Sequence, residues 1–143
     1  MKRTLYILGL IFVMGIAAQA QKTIGTDKTI SDGHCQILVP NDWTDLKAAG
    51  AGARSTKDVG FTATVRGIPS SEYQTDVDAL KQRKGSVVDE NESRILLVEP
   101  RGAKRRYVEL TKAGPNACRA NVTFSIEKMA VARKIVDSLK PMK

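Results

Sequence analysis

The amino-acid sequence predicts an α+β fold, a mostly antiparallel β-sheet of five to six strands packed with two helices. Three observations carry that prediction. Between Ser86 and Ile126 four short segments are separated by turn signals, Glu90-Asn91-Glu92, Pro100-Arg101-Gly102 and Gly114-Pro115-Asn116. In the last of them Cys118, Ala120, Val122, Phe124 and Ile126 alternate with Arg119, Asn121, Thr123 and Ser125, so one face is core and the other is wet. Residues 70–84 and 127–140 change to helical spacing.

The chain opens MKRTLYILGLIFVMGIAAQA. Lys2 and Arg3 precede an apolar run that closes on Ala18-Gln19-Ala20, the pattern of a secretory signal peptide cleaved after Ala20; the run is too short to span a bilayer. The protein is therefore expected to be periplasmic or secreted, with no transmembrane segment in the mature chain. Removing the first 20 of 143 residues leaves 123, enough for one domain. The leader holds two of the 23 basic residues and none of the 15 acidic ones, so the mature formal charge is +6. That favours solubility and weak attraction to anionic surfaces, and with export it argues against nucleic acid as a partner.

Residues 21–33 are polar, lack periodicity and read as a flexible leader or a marginal first strand, assigned here as leader, with residues 34–143 as the single α+β domain. In the stretch GHCQILVPNDWT, residues His34 to Val39 alternate as a first strand with Cys35, Ile37 and Val39 on one face. Pro40 stops its ladder, Pro40-Asn41-Asp42 supplies a turn, and Trp43 is a large apolar anchor. Residues 47–60, with three glycines, predict a mobile surface loop. Phe61 to Arg66 form a second strand with Phe61, Ala63 and Val65 on one face. A helix follows over 70–84, started by Thr75 and Asp78, carrying Tyr73, Val77, Leu80 and Lys84 on one side, and capped by Gly85. Strands at 86–89, 94–99, 104–111 and 117–126 make the meander. A closing helix from Glu127 places Val131, Ile135 and Leu139 on one stripe flanked by Ala132 and Val136, until Pro141 ends it.

Two cysteines in an exported chain allow one intramolecular pair, Cys35 with Cys118. Both lie on the apolar parity of their strands, so the pair reads as a structural disulfide tying the first strand to the last.

The order of these elements resembles the PsbP-like superfamily. The resemblance rests on Val39-Pro40-Asn41-Asp42-Trp43 after the first strand, the mid-chain helix, the hairpin meander, and a last strand leading into Ala132-Arg133-Lys134-Ile135-Val136-Asp137-Ser138-Leu139-Lys140. It covers nearly all of residues 34–140. It implies an α/β/α sandwich around an antiparallel sheet and a binding or assembly role without a shared catalytic set. No counterpart of a lumenal metal or docking motif is present, so a photosynthetic role is not expected.

Candidate chemistry is sparse. His34 and Cys35 are neighbours in a strand and point to opposite faces, which argues against a shared metal ion. His34 is the one imidazole available as a base, and no serine sits in a Gly-x-Ser-x-Gly elbow. Asp89, Glu90 and Glu92 lie at a turn and read as a solvated tip. The glycine-rich run Ala49 to Lys57 lacks the Gly-Lys-Ser/Thr ending of a phosphate loop. No catalytic residue, metal ligand or cofactor is expected. The binding candidates are Arg101, Lys104, Arg105 and Arg106, a basic hairpin with Tyr107 beside it; such charge also protects a sheet edge. The function expected is therefore an exported, non-enzymatic binding or assembly module that contacts a protein partner or an anionic envelope surface. The alternative is a small hydrolase or ligand-binding enzyme with a cleft near Trp43 and the 47–60 loop.

Overall fold

The computed structural model describes residues 27–143; the expected signal peptide and its cleavage point lie outside the described residues. Among the described residues the chain forms strands β1 (Lys28–Ser31), β2 (Cys35–Val39), β3 (Thr44–Asp45), β4 (Ala51–Arg54) and β5 (Thr62–Pro69), then helix α1 (Tyr73–Lys81). Strands β6 (Ser86–Asn91), β7 (Arg94–Arg101), β8 (Lys104–Ala113) and β9 (Asn116–Phe124) follow, then helix α2 (Met129–Asp137) and strand β10 (Lys140–Pro141). The strands make two antiparallel sheets, one ordered β1-β2-β10 and one ordered β3-β4-β5-β9-β8-β7-β6. This is the α+β architecture expected, with more strands than the five to six predicted, because β1, β3, β4 and β10 are each four residues or shorter and carry little alternation.

The large sheet is covered on its inner face by the small sheet and α2 and over part of its outer face by α1. Alternation turns Ala63 and Val65 of β5, Leu96 of β7, Tyr107 of β8, and Cys118, Ala120, Val122 and Phe124 of β9 to an inner face. There they pack with Ile30, Ile37 and Val39 of the small sheet and with Ala132, Ile135 and Val136 of α2. The opposite parity turns Ile68, Ile95, Val108, Leu110 and Ala117 to an outer face, where they meet Tyr73, Val77 and Leu80 of α1. The two helices thus cover opposite faces.

Besides apolar packing and a Lys28–Asp45 ion pair (3.4 Å), two buried or half-buried contacts fasten the small sheet to the large one. Cys35 of β2 and Cys118 of β9 form a disulfide with Cα atoms 5.8 Å apart, and both residues are fully buried. Beside it, the Asp32 carboxylate accepts from the backbone N–H of His34 (2.9 Å), of Cys35 (2.8 Å) and, across the sheets, of Gly67 in β5 (2.6 Å). Burial works to raise the Asp32 pKa, but these three donors and the nearby His34 hold it below the usual carboxylate value.

Several expectations need correction. Lys28–Ser31 pairs with β2, so this part of the segment assigned as leader is the marginal first strand that was its alternative, and it belongs to the domain. The 47–60 segment contains β4, which pairs with β5. Its small side chains hide the alternation: Ala53 is fully buried, and Gly50, at φ +93°, turns the chain so close to the backbone of Val65 that a side chain would collide. Thr75 and Asp78 lie inside α1, which follows a 3-10 turn (Ser70–Glu72) and ends at Gln82, not Gly85. Gly85 is there for space, since a Cβ would strike Leu97. Val131 and Ile126 face solvent, and Lys84 is exposed. Pro141 belongs to β10, paired at the edge of the small sheet, rather than marking the helix end.

Strand β6 closes the other edge of the large sheet, with every residue exposed and its register shifted between Val87 and Asp89.

Replacing both cysteines by serine removes a cross-link across 83 positions and is expected to lower the unfolding free energy by about 2 to 4 kcal/mol. Urea melts of the double variant and of the reduced wild type check this; coincident midpoints for oxidised wild type and variant would refute it.

Candidate functional site

The outer face of the large sheet divides in two. Helix α1 seals one end with apolar contacts, and the other end carries the polar parity of the same strands. In register, Arg66 of β5 stands directly opposite Arg119 of β9, Thr64 opposite Asn121, and Thr62 opposite Thr123; Thr123 in turn faces Arg106 of β8, and Arg106 faces Glu99 of β7. Like charges placed opposite one another across a ladder oppose its pairing. Arg119 donates to Asn121 Oδ1 (3.5 Å), and Asn121 Nδ2 donates to Thr64 Oγ1 (3.4 Å), so the row is held by neutral contacts.

Arg83, just beyond α1, lies over this surface. It and Arg106 share one carboxylate oxygen, Glu99 Oε1, at 3.5 Å each, and the Glu99 side chain is 9% exposed. Burial lowers the pKa of Arg106, as does repulsion from Arg101 and Arg83, against the pull of Glu99. Burial also lowers the pKa of Arg119, followed by repulsion from Arg66 and Arg83, with Asp76 of α1 acting the other way. The Arg106 Nε is buried without a hydrogen-bond partner. Two grooves result. One, of about 410 Å³, is lined by Thr64, Arg66, Arg83, Arg119 and Asn121 with Ala48 and Ala49 as a wall; the other, of about 350 Å³, is lined by Arg83, Lys84, Glu99, Pro100, Arg101 and Arg106. Arg83 borders both.

The β7–β8 hairpin expected to bind is distributed differently among its residues. Arg101 and Arg105 are exposed at its tip. Lys104 donates to the Val59 carbonyl (2.7 Å) and to Ser125 Oγ (3.3 Å), tying the preceding loop down. Arg106 belongs to the outer groove. Tyr107 is not surface at all: it is 5% exposed on the inner face and stacked on Phe124 with ring centroids 4.8 Å apart, because the odd parity of β8 points into the core. The sequence reading missed Arg66, Arg83, Glu99 and Arg119; the wet parity of β5 and β9 was the available signal, and only the strand order brings it together.

Around the alternative cleft, Trp43 is buried and meets Phe61 edge-on at 4.6 Å, so it fills the core instead of lining an opening. A groove beside it is lined by Thr44, Leu46, Arg54, Ser55, Thr56, Val59, Gly60 and Thr62, without an imidazole, thiol or carboxylate in its wall. His34 lies elsewhere, at a depression of about 270 Å³ with Gly67, Pro69 and Asn116. Among the described residues no group of three or more His, Cys, Asp or Glu side chains converges as a metal site, and no helix is long and apolar enough to cross a membrane.

The inner face treats its arginine in the opposite way. Arg94 pairs with Glu109 through Nε, with Asp89 through Nη1 (3.1 Å) and with Asp137 of α2 through Nη2 (2.6 Å). Burial pushes the Glu109 pKa up to about 7 in spite of Arg94, and its second oxygen is buried without a partner. Folded Glu109 therefore holds its proton more strongly than in the unfolded chain. The stabilisation this brings is complete below about pH 4.5 and is lost as pH rises to about 7.

No protein-family model matches the chain, and no curated protein does. Among solved structures it is similar to the solution structure of cyanobacterial PsbP (CyanoP) from Synechocystis sp. PCC 6803, at 12% identity over 89% of this chain and 99% of that chain, with a TM-score of 0.53. It is also similar to a crystal structure from Bacteroides thetaiotaomicron VPI-5482, at 12% identity over 84% of this chain, with a TM-score of 0.58; the match spans 49% of that longer chain. At these identities the likeness establishes a PsbP-like fold.

Wild type minus Glu109→Gln in unfolding free energy is expected to fall by on the order of 2 to 3 kcal/mol between about pH 4.5 and about pH 7.5. Urea melts at stepped pH measure it, and a difference that stays flat across that window would show that Glu109 is charged throughout.

Proposed function

We propose that this chain is an exported, non-enzymatic binding or assembly module, periplasmic or secreted, that contacts a protein partner or an anionic envelope surface. The observation that carries this reading is the gathering of cations at one end of the large sheet, where the exposed Arg101 and Arg105 of the hairpin tip adjoin the groove containing Arg83, Lys84 and Arg106. Positive charge concentrated on one surface steers association with anionic partners and makes it salt-dependent. A PsbP-like fold, a sandwich sealed by helices on both faces, and a disulfide compatible with an oxidising compartment support the same reading. The hairpin contact surface comprises Arg101, Lys104, Arg105 and Arg106. Tyr107 supports it from beneath, and Lys104 also braces the loop at Val59.

The test uses Arg101→Ser with Arg105→Ser, which leaves the internal contacts of Lys104 and Arg106 intact. Wild type incubated with an envelope extract should be retained at low salt and released at high salt, and the double variant should elute earlier in the salt gradient. Identical elution of the two proteins would remove the hairpin from the proposed surface.

A further inference from the structure

We propose that the two adjoining outer grooves, which share Arg83, together form a binding site for a ligand carrying two or more phosphate groups, held by Arg66 and Arg119 in one groove, Arg106 in the other and Arg83 between them. The proposal deepens the anionic-partner reading above and rests on it for the origin of the ligand; it shares Arg83 and Arg106 with that reading, adds Arg66 and Arg119, and leaves out the hairpin-tip residues Arg101 and Arg105.

Three observations lead there. First, Arg66 and Arg119 are directly paired across the ladder and have no carboxylate within ion-pairing distance among the described residues; Glu99 is taken by Arg83 and Arg106. The fold is able to neutralise an arginine elsewhere, since Arg94 has three carboxylates around it. An arginine row left uncompensated on a half-covered sheet face therefore lowers stability in the free protein, and an incoming anion reverses the sign of that contribution. Second, the surroundings suit a phosphate. Guanidinium forks donate in pairs to phosphate oxygens, and Asn121 and Thr64 place neutral hydrogen-bonding groups at the same level of the sheet. The Arg106 Nε is a buried donor that still lacks an acceptor. Third, the cations are spread along the strands. Arg119 and Thr123, which faces Arg106, are four residues apart on β9, about 13 Å at the rise of a strand. Arg83 stands between the two grooves and borders both. One phosphate group satisfies one end; a chain of phosphates presents further oxygens toward the other, across a gap that the long arginine side chains shorten from both ends.

Calorimetric titration of the purified protein at fixed ionic strength, with inorganic phosphate, tripolyphosphate and citrate, tests this. Tripolyphosphate should bind at least about tenfold more tightly than phosphate or citrate, and Arg119→Gln or Arg66→Gln should weaken it by about tenfold or more. Arg119→Lys, which keeps charge without the fork, should fall between. Arg66 is exposed, so Arg66→Gln keeps the test alive where Arg119→Gln fails to fold. Absence of saturable binding, equal affinity for citrate, or an equal loss in Arg133→Gln on α2 would overturn the proposal. Sedimentation with vesicles of phosphatidylcholine and phosphatidylglycerol then separates sources. Vesicle binding lost in Arg66→Gln places the phosphates on lipid headgroups, and tripolyphosphate binding without vesicle binding places them on a free ligand. If Arg101→Ser with Arg105→Ser abolishes envelope retention while wild type shows no tripolyphosphate binding, this site is refuted and the hairpin reading stands. Tripolyphosphate binding with no envelope retention has the converse meaning.

Discussion

The join between the two sheets is the constraint on which the rest of this structure depends. A three-stranded sheet with two short outer strands has too little ladder to persist alone. It is kept by the Cys35–Cys118 disulfide, by the Asp32 carboxylate reaching the Gly67 N–H, and by the apolar side of β2 lying on β5 and β9. Because the small sheet and α2 together seal the inner face, the large sheet has only one face left with freedom to be polar. Half of that face is sealed by α1. The arginines on the remainder are therefore placed by the same alternation that builds the core, one residue out of phase with it.

The contrast between Arg94 and Arg119 shows how position sets the role of one residue type. Arg94 sits at an interface between sheet and helix, where α2 brings Asp137 and the neighbouring strands bring Asp89 and Glu109. It is consumed in holding layers together, at the expense of keeping Glu109 in an apolar setting that favours its proton. Arg119 stands opposite another arginine, its direct contact is the neutral Asn121 Oδ1, and no carboxylate among the described residues pairs with it. Net charge alone does not separate these cases.

Much of the fold was legible in the sequence. The alternation of Cys118 to Phe124 marked the central strand, and parity alone turned Cys35 and Cys118 inward, where they form the disulfide. What stayed hidden had small or few side chains. Ala51 to Arg54 offers no apolar contrast for a period of two, and Lys28–Ser31 and Lys140–Pro141 acquire their strand character from β2 rather than from their own composition. The cationic groove was hidden for another reason. Arg66, Arg83 and Arg119 are spread over 53 positions, and only the neighbouring of β5 with β9 makes them one surface. The hairpin's four basic residues and Tyr107 stand together in sequence, whereas three of the five have internal work: Lys104 on Val59, Arg106 on Glu99, Tyr107 on Phe124.

Strand β6 gives this architecture its terminus. Its six residues are all exposed, Asp89 and Glu90 are ion-paired with Arg94 and Lys81 along the rim, and the slip between Val87 and Asp89 breaks the even row of backbone donors and acceptors that another strand would need. The opposite rim, β3, is two residues long. Neither border offers a template for stacking copy upon copy into a continuous ribbon.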